Sequence, residues 1–254
     1  MFEYSLGSYA LNELAKETKA EPLYIILLKD PVQRIMSLYN HWYLQEKGNG
    51  YSLDLEELVQ LELAILSLPR CKKFIEQMYN AGPKSKGAKA YKAAEALRQL
   101  MTTMLGGVGR FAEARLNLRP FGLVLDGLYF TQIHGWLRSQ PALRQRLLII
   151  QSEYFKDDRE GAVRRDILPF LFPDKTKDQL DAIMQQRKLP KISNEKSDKD
   201  PKALLSLSTM AKLARFYKES NIEQYLYQLQ QKHIATIVPA LRAGDVWWPS
   251  YDEI

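Results

Sequence analysis

Lys29, Arg34, Ser37 and His41 are the residues whose types and spacing can do chemistry together: two cations, a hydroxyl and an imidazole in one short stretch. Arg34, Ser37 and His41 stand at i, i+3 and i+7, which places them on one face of a helix. Cations beside a hydroxyl suit an oxyanion such as a phosphate, through charge-assisted hydrogen bonds. His41, the histidine closest to this string, is the candidate catalytic residue, since imidazole changes charge near neutral pH; a packing or surface role is its alternative.

The elements that must position these side chains are legible on either side of Lys29. Tyr24 to Leu28 reads Tyr-Ile-Ile-Leu-Leu, an apolar run that predicts a strand buried on both faces of a parallel sheet. Asp30 is a good N-cap, Pro31 suits the first helical position, and Gln33 is placed to complete a capping box. The order is therefore strand, tight turn, helix. A helix start at the carboxyl end of a parallel strand offers backbone N–H groups and a dipole to an anion.

The string Lys29-Asp30-Pro31-Val32-Gln33-Arg34-Ile35-Met36-Ser37-Leu38-Tyr39 resembles the 3'-phosphate-binding segment of sulfotransferases that use 3'-phosphoadenosine 5'-phosphosulfate. The resemblance implies that Lys29 and Ser37 hold the 3'-phosphate, with Arg34 and Tyr39 also matching. The family usually has arginine at the position of Lys29; lysine keeps the charge but loses the bidentate fork. The fold implied is α/β, a three-layer P-loop-NTPase-like arrangement with a mostly parallel sheet flanked by helices, as one domain over residues 1–254.

Two further blocks are similar to carbohydrate-type members. Leu125-Asp126-Gly127-Leu128-Tyr129, Ile133, Trp136 and Leu137 lead to a strand over Arg146 to Gln151 and then Glu153, Ile167 and Phe170-Leu171-Phe172-Pro173. From the residues, Gly127 opens a helix with an apolar stripe, and Tyr129 either faces nucleotide or acceptor or packs in the core. Glu153, at a strand end, is a second option for the catalytic base. Asn194 to Pro201 is polar and turn-rich and precedes a long helical pattern with Leu213, Phe216, Tyr217, Asn221 and Tyr225. It is similar to the family's cofactor-covering loop, where Lys196 and Lys199 either close over the nucleotide or are ordinary solvated loop charges.

The family's Lys-x-Gly-Thr-Thr/Ser loop, which holds the 5'-phosphosulfate, has no counterpart before Tyr24. The expectation is a sulfotransferase domain lacking its amino-terminal strand and loop. It transfers a sulfuryl group to a hydroxyl or amine of a glycan or similar acceptor, or else it is an inactive relative that binds nucleotide or a partner. Met104 to Arg110 is Gly-rich but lacks a Lys-Ser/Thr ending and reads as a helix stop, with Arg110 as an anion contact in reserve. A kinase-like nucleotide-binding protein would want a Walker lysine loop, which these residues also lack.

The remaining features bound the reading. With 254 residues and 46% hydrophobic content the chain can bury a sizeable core. A net charge of +6 suits anionic ligands, but no nucleic-acid motif accompanies it. Cys71 is single, so no internal disulfide forms, and His41, His134 and His233 are too dispersed for a zinc site; no metal is expected. No stretch reaches the roughly 20 apolar residues of a membrane span, and the compartment stays open between cytoplasm and a Golgi lumen reached through an anchor outside this sequence. Between the blocks, about residues 52–118 form a largely helical insert. It begins with Asp54 as cap and Leu58, Leu61, Ile65 and Leu68 as a stripe ended by Pro69, and it bears Lys84, Lys86, Lys89 and Lys92 either toward an anionic acceptor or toward solvent.

Overall fold

A computed structural model of the chain describes residues 22–42, 54–80, 103, 123–139, 143–186, 204–219, 222–248 and 251. Three parallel strands, β1 (Tyr24–Leu28), β2 (Leu147–Gln151) and β3 (Thr236–Val238), form a sheet in the order β1-β2-β3. Tyr24 stands opposite Leu147 and Leu28 opposite Gln151, while Leu148 to Ile150 pair with Thr236 to Val238. The coarse class is therefore α/β, as the alternation of apolar runs and helical stretches implied.

Helices α1 (Pro31–Trp42), α2 (Leu55–Leu66) and α3 (Pro69–Asn80) follow β1, and α4 (Tyr129–Ser139) precedes β2. After β2 come α5 (Ser152–Asp157), α6 (Arg159–Ala162), a π-helical turn (Val163–Ile167), α7 (Leu168–Leu171) and α8 (Lys177–Gln186); α9 (Leu207–Glu219) and α10 (Ile222–Gln231) lead to β3. The long helical pattern expected around Phe216 and Tyr225 is thus divided into α9 and α10. The π turn has a local cause: Pro169 brings no N–H and its ring crowds the preceding turn, which the wider turn accommodates.

The chain divides into two units. The first comprises Met1–Lys29, Ser139–Asp200 and Leu226–Ala243 and contains the sheet. Leu147, Leu148, Ile149 and Ile150 are fully buried, as the run of aliphatics predicts for a central strand. Leu148, Ile150 and Val238 pack with Tyr154, Phe155, Ile167 and Phe170. β1 differs from expectation: Ile25 and Leu27 are 40% and 49% exposed, so the run is not buried on both faces. Alternate residues of a strand share a face, so it is the face carrying Ile25 and Leu27 that is left open; among the described residues β1 is also an edge strand paired only with β2.

The second unit comprises Asp30–Arg138, Pro201–Tyr225 and Gly244–Ile254, and its described secondary-structure elements are helices joined by turns. Asp54 caps α2 by accepting from the Glu56 amide, and Pro69, expected as a breaker, opens α3 at its first position. The buried stripe of α2 runs through Leu55, Leu58, Val59, Glu62, Ile65 and Leu66, leaving Leu68 exposed beyond the helix. Glu62 is fully buried and accepts from the amides of Leu123 and Val124 at 3.1 and 2.8 Å. The Val124 carbonyl accepts from the Tyr217 hydroxyl at 2.8 Å. Gly127 lies in a 3-10 turn (Leu125–Gly127) rather than opening the helix, which starts at Tyr129. A β-carbon at Gly127 would meet the Tyr217 ring at 2.6 Å, so α9 lies against this turn only because the residue is glycine.

Candidate helix-start site

The candidate site is built around the start of α1. Asp30 is 3% exposed, and its Oδ1 accepts from the Val32 amide at 2.8 Å and the Gln33 amide at 3.4 Å. The Arg34 amide donates to the Asp30 carbonyl at 2.8 Å, and Pro31 has no N–H. Asp30 is thus the N-cap that the sequence predicts. The first-turn amides are therefore occupied, which corrects the expectation that free backbone N–H groups await an anion here. Oxyanion binding at this helix start falls to side chains.

The capping box is also replaced. Gln33 turns its amide to the Tyr251 hydroxyl at 3.3 Å, and that hydroxyl donates to Asp30 Oδ2 at 2.5 Å. Tyr251 is buried and thereby ties the end of the chain to the start of α1. Burial pushes the Glu223 carboxyl above its usual range, and the Asp30 charge pushes it further the same way; Lys218 and a backbone hydrogen bond oppose this. The helix start therefore carries a buried carboxylate whose field a second carboxyl feels. Neither Tyr251 nor Glu223 is among the residues singled out from the sequence. The signal for Tyr251 was the aromatic cluster Trp247-Trp248-Pro249-Ser250-Tyr251; Glu223 gives none.

Arg34 and Ser37 lie one turn apart on α1, as their spacing requires. Ser37 is exposed, while Arg34 is half-buried with its Nη1 shut off from solvent. Lys29 is half-buried and ends the strand-bearing segment one residue before Asp30. Tyr39 is buried, and burial, then the Asp54 charge, raises its phenol above the usual range. Tyr129 is 5% exposed, with its ring 6.0 Å from that of Trp248, which itself meets Trp247 edge-on at 5.7 Å. Tyr129 is thus a core ring in this unit. Glu153 stands in the first turn of α5, half-buried. His41 lies in the last turn of α1, but its side chain falls outside the described residues, as do Lys196, Lys199, Arg110 and the lysines at 84, 86, 89 and 92.

Among the described residues, no three His, Cys, Asp or Glu side chains are grouped to hold a metal ion, and no helix is long and apolar enough to cross a membrane. Comparison of the chain with protein-family models, with curated proteins and with solved structures finds no match. The class these observations define is an α/β protein with a parallel sheet and a capped, cation-bearing helix start.

Proposed function

We propose that this chain is a sulfotransferase domain of the three-layer, P-loop-like kind. It transfers a sulfuryl group from 3'-phosphoadenosine 5'-phosphosulfate to a hydroxyl or amine of a carbohydrate or similar acceptor. The observation that carries the reading is strand β1, which ends at Leu28 and leads through Lys29 and the Asp30 cap into a helix presenting Ser37 to solvent. Lys29 supplies charge and Ser37 a hydroxyl for the 3'-phosphate, and Arg34 adds a second cation held by its half-buried setting. The occupied amides fit this division of labour, because an Asp-capped helix leaves recognition to side-chain donors.

The donor supplies an activated sulfuryl group. The acceptor oxygen forms a bond to sulfur as the bond to the bisphosphate oxygen breaks, and its proton passes to a base, for which His41 and Glu153 are the candidates. Lys196 and Lys199 are assigned to cover the nucleotide.

Titration with 3'-phosphoadenosine 5'-phosphate against adenosine 5'-phosphate tests the reading, since the two nucleotides differ only in the 3'-phosphate. The double variant Lys29→Ala, Ser37→Ala is expected to weaken the bisphosphate about a hundredfold, from the loss of two charge-assisted contacts. Unchanged affinity in calorimetry overturns the assignment. The alternative reading is a relative that binds nucleotide or a partner without turnover. Bisphosphate binding without transfer of labelled sulfate to any acceptor would establish that reading instead.

A further inference from the structure

Helices α2, α3 and α9 enclose an open groove of about 510 Å³ within the second unit. Leu63, Ile75 and Phe216 form its apolar floor, each only half-buried. Lys72 from α3, with Lys212 and Arg215 from α9, brings three exposed cations to its walls, and Glu76 and Glu219 bring two exposed carboxylates. Among the described residues Lys72 and Lys212 make no ion pair, although Glu76 is one helical turn from Lys72. The same helix α9 also packs against α1, which carries Arg34 and Ser37.

We infer that this groove binds an acidic oligosaccharide, with Phe216 beneath a sugar ring and Lys72, Lys212 and Arg215 on its carboxylate or sulfate groups. The lining chooses the ligand class. Cations alone would suit any polyanion, but Glu76, Glu219 and Gln60 add acceptors to which the hydroxyls of a saccharide can donate, whereas an ionised phosphate chain has no donor for them. An amphipathic peptide helix would need a continuous apolar seam, whereas the apolar lining of Leu63, Ala64, Ile75 and Phe216 is interrupted by charged and polar side chains. A half-exposed aromatic ring suits the apolar face of a pyranose. As the acceptor subsite the groove rests on the sulfotransferase reading; as a saccharide site it stands apart from it.

The test is calorimetry of the 254-residue chain with a heparin-derived hexasaccharide, a neutral maltohexaose and a glutamate hexapeptide. The groove variant K72A/K212A/R215A is expected to weaken the heparin fragment tenfold or more, about the loss of one or two charge-assisted contacts. K156A/K175A/K177A, exposed lysines of the other unit, should change it by less than about twofold, the scale of screened long-range charge. Phe216→Leu keeps apolar volume but removes the ring, and should weaken the fragment about threefold. Equal losses in the two triple variants, no effect of Phe216→Leu, equal binding of the glutamate peptide, or no binding of the heparin fragment each overturns the inference. Titrating every variant with 3'-phosphoadenosine 5'-phosphate separates the two readings. Bisphosphate binding retained without saccharide binding sinks the groove alone, and saccharide binding without bisphosphate binding sinks the sulfotransferase assignment alone.

Discussion

Strand β2 and helix α2 are both buried, in different units, and are held in different ways. β2 presents four consecutive aliphatic side chains with no exposure and no polar side chain among them. α2 buries Leu58, Val59 and Leu66 just as completely, yet places the carboxylate of Glu62 in the same stripe. Around β2 the apolar area removed from water sets stability, and position is specified by shape, although elsewhere in the sheet unit the Gln230 side chain holds the backbone N–H and carbonyl of Leu241. In the helical unit a few carboxylates fasten backbone amides: Glu62 holds residues 123 and 124, and Asp30 holds the start of α1. A buried acceptor contributes little net energy when satisfied but costs much when its partners are orphaned. Around α1 and α2 position is therefore specified by direction as well as by volume.

The largest effect should come from the sheet. Ile149→Ala leaves a void around a fully buried side chain, with a loss of about 3–4 kcal/mol expected in urea unfolding. Glu62→Gln keeps the shape and one acceptor but leaves one of two buried amides unmet, and should cost about 2 kcal/mol. Glu62→Leu should cost no less, because both amides then lack a partner. If the leucine variant proved as stable as the parent, the contrast between the two units would fail.

Much of this was legible because it is local. Asp30 and Pro31 announce a helix start within a few residues, and the four aliphatics of β2 admit little besides double burial. The run in β1 has the same composition, yet Ile25 and Leu27 are exposed, because whether a face of a strand is covered is settled by what packs on it and not by its own residues. Gln33 looked like half of a capping box, but its partner is Tyr251, 218 positions away, which no local pattern reveals. Glu62 did carry a signal: an acidic residue four after Leu58 and three before Ile65 lies on the apolar face and must find donors there. A stripe drawn through Leu61 and Leu68 is rotated away from Glu62 and from the face that α2 buries.

A smaller effect separates a carboxylate fastener from an ordinary surface acid. Burial raises the Glu56 pKa, but hydrogen bonds from the Thr209 hydroxyl, the Ser206 amide and hydroxyl and the Gln60 amide outweigh it, bringing it from 4.5 down to about 2. The folded pKa lies below the unfolded one, so this contribution is fully present above about pH 4.5 and is lost as pH falls toward 2. Unfolding midpoints between pH 5 and pH 2.5 should fall more steeply for the parent than for Glu56→Gln. Equal slopes would show that Glu56 does not join the start of α2 to that of α9 in solution.

The smallest effect expected is a gain, and it lies in the sheet unit. α10 ends in a Schellman arrangement: the His233 amide donates to the Gln230 carbonyl at 3.0 Å and the Ile234 amide to the Leu229 carbonyl at 2.9 Å. His233 is accordingly left-handed, at φ 51°, a conformation glycine adopts without the steric penalty of a β-carbon. The turn is held from outside as well, since the Gln145 amide donates to the Ile234 carbonyl at 2.8 Å and Gln145 is itself left-handed at φ 68°. Two strained residues thus lead into β2 and β3, and apolar packing of those strands offsets the strain. His233→Gly should raise stability by about 0.5–1 kcal/mol, because relief of the left-handed strain exceeds the extra chain entropy of glycine. In a chain of this length that corresponds to a melting temperature about 1–4 °C higher by scanning calorimetry. A fall instead would mean that the imidazole contributes more to this turn than its backbone strain removes.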